Sequence, residues 1–230
     1  MKKNIVIILL SIFSVFIIFS ALYAAKSIAI TIKTKGKVNV YVSGKKSNNN
    51  LKRGFRLKDG DKILTGDKSY AAFRFIDDKS LVRIRSNSSC TVKGKEEENN
   101  SIVKNIFVEI GTIFARITKQ KGRFQVTTPT SVASVKGTKF ITDHRGEAGT
   151  YYFGEEGLCE IKNKAGVAQL RSGETAFVAD ENTAPVVYKT RKGEKPSFEE
   201  FESDEDEFEF EFENDSGDKK LLKFKAKKKD

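Results

Sequence analysis

TTPTSVASVKGTKF, residues 127–140, decides how the rest of the chain is read. The residues before it, 123–127, alternate apolar and polar side chains as a half-buried strand does. Pro129 has no backbone N–H and a fixed φ, so a regular ladder breaks there. Small residues come next, at Ser131, Ala133 and Ser134. Gly137 tolerates a positive φ or a close backbone approach, and Thr138 and Phe140 restart a strand pattern. The stretch predicts a strand, a tight corner and a second strand. It is a structural device and holds no catalytic arrangement.

The same alternation extends outward on both sides. Ile28, Ile30 and Ile32 share one face of a strand just after the N-terminal apolar run. Val38, Val40 and Val42 do so in the next strand, before a polar loop over residues 43–50. Ala71, Phe73 and Phe75 line another strand, and residues 81–85 form the next after an Asp77-Asp78-Lys79 turn. Residues 96–101 read as a charged hairpin end and residues 106–117 as a long strand around Gly111. Residues 139–142, 150–153, 157–161, 165–170 and 175–179 continue the pattern, with His144 in a polar turn over 143–149. Turn signals recur about every 8–12 residues, which argues for an all-β architecture.

The central motif resembles the signature of the FecR domain family in Thr128, Pro129, Val132, Ala133, Val135, Gly137, Thr138 and Phe140. Further matches are Gly60-Asp61, Thr65-Gly66, Ala71, Phe73, Phe75, Asp77 and Val108-Glu109-Ile110-Gly111, in the expected order. The resemblance covers roughly residues 36–178. It implies a mainly β fold, a β-roll or β-solenoid-like extracytoplasmic domain of the kind found in bacterial cell-surface signalling regulators. It also implies that the eight signature residues are structural.

The N-terminus fits that setting. Lys2 and Lys3 precede an uncharged, mostly apolar run over residues 4–25, long enough to cross a bilayer as one helix. The run serves as a membrane anchor or as a signal peptide cleaved near Leu22-Tyr23-Ala24. The two lysines place the start in the cytoplasm, so both readings export the chain beyond Lys26 to the periplasmic side. Regulators of the FecR type carry a cytoplasmic segment that handles a sigma factor. Only residues 1–4 stand on that side here, so function is expected to reside in the exported part.

Composition narrows the function classes. The chain has 230 residues, 38% hydrophobic and 32% charged, with a net charge of +11. From Ser197 onward there are 13 acidic and 7 basic residues, so this tail carries −6 and the remainder +17. A basic body suits polyanions, including acidic head groups and envelope polymers. Clustered arginines and aromatics of a nucleic-acid surface are not readable in the sequence, so no nucleic-acid partner is expected.

No catalytic or metal-binding set assembles from the sequence. One histidine without a partnering Ser or Cys motif gives no triad. Two cysteines and that histidine lack zinc spacing. By strand parity Cys90 and Cys159 face inward, as buried thiols or as a disulfide. Gly60-Asp61, Gly66-Asp67, Gly154-Glu155 and Gly173-Glu174 are too dispersed for calcium and read as turns. Lys136-Gly137-Thr138 lacks the glycine spacing of a phosphate loop. An envelope hydrolase would need a pocket with perturbed carboxylates.

The organisation expected is an anchor or signal over 1–25, a β domain over 26–190, and a Phe-rich tail over 191–230. In the tail Phe208, Phe210 and Phe212 alternate with glutamates, and Leu222, Phe224 and Ala226 with lysines. A hairpin about residues 214–217 would set opposite charges across strands and gather Phe208, Phe210, Phe212, Leu222 and Phe224 as an interaction surface. The expected function is non-enzymatic and needs no cofactor: a protein- or envelope-binding module. A transmembrane anti-sigma regulator of the iron-uptake type and a polyanion-binding module are the alternatives.

Overall fold

A computed structural model describes residues 26–42, 44–96, 101–117, 122–135, 137–198, 207–213 and 219–225. The expected N-terminal helix lies outside them. No helix of the described residues is long and apolar enough to cross a membrane.

The fold is mainly β and is organised by one strand that turns from sheet to sheet. β1 (Ser27–Lys35), β2 (Val38–Val42), β3 (Lys45–Asn50) and β4 (Arg56–Lys58) open the chain. Next are β5 (Asp61–Thr65), β6 (Tyr70–Phe75), β7 (Leu81–Ile84), β8 (Ser89–Glu96) and β9 (Ile102–Arg116). Then come β10 (Phe124–Thr127), β11 (Val132–Val135), β12 (Lys139–His144) and β13 (Thr150–Glu156). β14 (Leu158–Lys162), β15 (Val167–Arg171), β16 (Glu174–Val178) and β17 (Val186–Lys189) complete the body.

Seventeen strands are linked by hydrogen bonding. β9 pairs with β8 through its first two thirds, Ile102 to Ile110, and with β7 and β12 through its last third. It therefore belongs to two sheets. The first runs β4-β1-β6-β7-β9-β12-β13-β16-β17. The second runs β3-β2-β5-β8-β9-β10-β11-β14-β15. All these pairings are antiparallel except β9–β10. Two sheets thus share one strand.

Gly111 makes the turn possible. Its φ is +94°, and a Cβ there would stand 2.3 Å from Ser88 Oγ and 2.7 Å from Ser88 Cα. A side chain is excluded both by conformation and by space. Ser88 Oγ in turn accepts a hydrogen bond from Thr112 N at 3.0 Å, so the bend is pinned to the β7–β8 corner.

One apolar core lies between the sheets, as alternation requires. Val38, Val40, Ile63, Phe73, Phe75 and Phe124 are fully or almost fully buried in it. Phe75 meets Phe73 and Phe124 edge-on, at 5.8 and 5.9 Å. Cys90 and Cys159 are both buried here and unbridged, so of the two readings the free thiols are the one observed.

Three local expectations change. Residues 45–50, read as loop, form β3, an edge strand held to β2 by backbone pairing that a polar sequence does not advertise. Ser131, Ala133 and Ser134, read as one corner, span the end of a turn and a strand, β11. That strand pairs with β10 on one side and β14 on the other. His144, read as part of a polar turn, ends β12 and is buried.

Candidate interaction surface

The signature motif builds an interior. The β10 ladder stops at Thr127 and the hairpin resumes at Val132, with Pro129 exposed between them. Thr128 is buried, and its Oγ1 accepts a hydrogen bond from Ser131 N at 3.2 Å. A chain of hydroxyls runs inward from this turn. Thr130 Oγ1 lies 2.6 Å from Thr150 Oγ1, which lies 2.9 Å from His144 Nδ1. Ser131 Oγ lies 2.9 Å from Tyr152 OH. Burial pushes Tyr152 up to about 12 and holds His144 below the ordinary imidazole value. The cluster ties the β10–β11 turn to β13. Its members are buried, so it satisfies polar atoms within the fold and presents no nucleophile to a substrate.

Most of the other signature residues lie in the interior. Ala133, Val135, Thr138 and Phe140 are buried and Val132 is half-buried. Gly137 takes φ +63° where the chain leaves the second sheet for the first. Outside the turn, Gln125, Pro129, Ser134, Lys162 and Lys164 line a shallow cleft of about 530 Å³. Gly60-Asp61 and Gly173-Glu174 stand at turns, whereas Gly154-Glu155, also read as a turn, lies within β13 and pairs with β12. Asp61 Oδ2 accepts Lys58 N–H at 2.9 Å, and Glu174 Oε2 accepts Arg171 N–H at 2.8 Å. Among the described residues no three His, Cys, Asp or Glu side chains gather as metal ligands would.

The surface with the composition of an interface is the outer face of the first sheet. Side chains that alternate away from the core there are Tyr70, Ala72, Leu81, Phe114, Ile141 and Phe153, which form a second buried cluster. Phe198 completes it, 5.6 Å from the Phe114 ring. Arginines frame these rings. The guanidiniums of Arg83 and Arg116 lie 5.2 and 5.9 Å from the Phe114 centroid, and that of Arg85 lies 5.8 Å from Phe198. Lys33 stands 5.1 Å from the Tyr70 centroid. Each is within cation–π range.

Phe198 reaches this face from the far edge of the sheet. β17 pairs with β16 at that edge, and the chain then crosses back over the face. Thr190 Oγ1 accepts from Thr175 Oγ1 at 2.9 Å, and Lys195 Nζ lies 2.8 Å from Glu155 Oε1. Sequence reasoning missed this surface. Arg74, Arg83 and Arg116 each alternate with core residues along a strand, and that parity is the signal that would have placed them on a common face.

Residues 61–157 match the family model described as FecR protein. The chain carries a FecR domain. This FecR segment spans β5 to β13 and so contains the shared strand, the signature turn and the hydroxyl cluster. Two crystal structures of a "putative anti-sigma factor" from Parabacteroides distasonis ATCC 8503, at 2.50 and 1.65 Å resolution, are similar to it. They are 16% and 17% identical, with TM-scores of 0.47 and 0.45. Each match covers 56% of this chain and 59% of the other. No curated protein matches the sequence.

Beyond the FecR segment, the tail pairs as an antiparallel hairpin of β18 (Glu207–Glu213) and β19 (Lys219–Lys225). Its register sets Phe208 opposite Phe224 and Phe210 opposite Leu222, with Glu209 opposite Lys223. Phe212 falls opposite Lys220.

Proposed function

We propose that this is a non-enzymatic FecR-domain protein that works by holding a protein partner, and that it does so on the periplasmic side of the membrane. The observation that carries the reading is the outer face of the first sheet. Arg83 and Arg116 bracket Phe114, beside Leu81, Ile141 and Phe153, in a buried cluster that includes Phe198, and Lys35 and Arg145 stand exposed at its rim over Tyr70 and Tyr151. Arginine and aromatic residues are the types enriched at the centres of protein interfaces. The match to a family of signalling regulators supports a regulatory role of the anti-sigma type for such binding. Residues 4–25, acting as anchor or as signal, would deliver the domain to the periplasm. Phe208, Phe210, Phe212, Leu222 and Phe224 on the tail hairpin are a second place where a partner would be held.

The test is site-directed photo-crosslinking in cells, with the reactive group at Lys35, exposed beside the Tyr70 ring at the rim of this face, or, as control, at Val167 on the second sheet's edge. Discrete protein adducts from Lys35 that are absent from Val167 support the reading. Equal yields from both positions, or none from Lys35, sink it. The cations of the same face favour a second reading, a polyanion-binding module. That reading requires binding to an acidic polymer that falls steeply with added salt.

A further inference from the structure

The outer face of the first sheet divides by charge. On the half built from β1, β6, β7 and β9 stand Lys33, Lys35, Arg74, Arg83, Arg85 and Arg116. On the other half Asp143 pairs with Arg145 at 2.7 Å, and Glu156 pairs with Lys139. The cations of the first half are crowded. Burial first, and the Arg116 charge second, hold Arg74 below the usual guanidinium range. Arg74 Nε is buried without a hydrogen-bond partner among the described residues.

Phe198 sits at the boundary of the two halves, against Phe114 and Arg85. The strap that carries it travels from β17 across the face to β9, and β7, β6 and β1 lie next in that sheet. The next eight residues contain Glu199, Glu200, Glu202, Asp204, Glu205 and Asp206, with Phe201 among them. Six carboxylates thus come directly after an anchor placed at the edge of six cations. Three strands span about 14 Å at ~4.8 Å spacing, and eight extended residues reach about 26 Å. The length suffices.

We propose that residues 199–206 dock in cis on the cationic half of this face, with Phe198 as their anchor. The face then carries an intramolecular acidic ligand, and an incoming protein gains it by displacing that ligand with acidic and aromatic groups of its own. This second step rests on the protein-binding reading above; the docking itself does not.

The experiment uses the full chain with a nitroxide at Ser203→Cys. Cys90 and Cys159 are buried, with thiols pushed up to about 12, and are expected to stay unlabelled in the native protein. Paramagnetic broadening of the amides of Lys33, Arg74 and Arg83 is expected, and none at Thr91 on the second sheet. In a variant carrying E199Q, E200Q and E202Q the ratio of docked to undocked chain read from the broadening should fall about tenfold, the effect of losing a contact worth about 1.4 kcal/mol. These substitutions lie outside the β body and leave its core untouched. No broadening at the three positions overturns the proposal. So does broadening that arises between a labelled and an isotopically enriched copy, because the occupant is then a second chain. Absence of photo-crosslinks to a partner leaves this measurement unaffected, so the two readings fail separately.

Discussion

The ammonium of Lys104 lies 2.6 Å from Asp78 Oδ2, with both side chains fully buried. Asp77 Oδ2 stands 2.7 Å away on the same ammonium, and the Phe75 ring is 5.7 Å from it. One cation is thus shared by two carboxylates between β9 and the β6–β7 turn. Removing the cation strands both acids in the interior, and breaking a buried pair costs about 3–5 kcal/mol. Lys104→Met should lower unfolding free energy by that amount in urea titrations. Lys104→Met combined with Asp77→Asn and Asp78→Asn should recover much of it. A single Lys104→Met change that costs under ~1 kcal/mol would show that the triad contributes little to stability.

Gly111 tests the shared strand. Its φ of +94° and the 2.3 Å approach of Ser88 Oγ to a notional Cβ predict that Gly111→Ala costs about 1–3 kcal/mol. Gly173→Ala is the control. It has φ +79° but open space around its Cβ, so it should lose only the conformational part. Thermal unfolding of the two variants separates the steric contribution from the backbone contribution.

His144 gives a pH dependence with a definite sign. Burial depresses its folded-state value below 6.5, while Gly149 and Asp143 oppose the shift. The unfolded chain therefore binds the proton more tightly. The stabilisation is present above the unfolded value and is lost as pH falls through the depressed folded value. Between pH 7.5 and 5.0, urea midpoints should drop less in His144→Gln than in the wild type. An equal drop in both would show that other groups carry the acid sensitivity.

The thiols should be inert. Desolvation leads the causes that push Cys90 and Cys159 up to about 12, and the thiolate is the reactive form. A thiol reagent at pH 8 should label neither cysteine in the native protein and both in denaturant. Labelling of one under native conditions would mean that its strand opens locally.

Thr128 is the test of the signature turn. Its hydroxyl accepts from Ser131 N and sits 3.2 Å from both Thr130 and Thr150 hydroxyls. Thr128→Val should cost about 1–3 kcal/mol in urea titrations, because buried polar groups lose a partner. Thr127→Val, half-buried on the other face of β10, should cost less.

The β class, the inward faces and the signature are legible in the amino-acid order alone. Alternation sends Phe73, Phe75, Cys90 and Cys159 to the core because successive strand side chains point to opposite sides. It also sends Lys104 inward, since Lys104 shares parity with Ile102, Ile106 and Val108; charge masked that reading. The service of β9 to two sheets and the pairing of residues 45–50 as an edge strand emerge in the folded chain. Folding also brings Asp77 and Asp78 to Lys104, and Phe198 back across the sheet to Phe114. These are pairings between distant segments, and local periodicity specifies which side a residue faces but not which strand lies beside it.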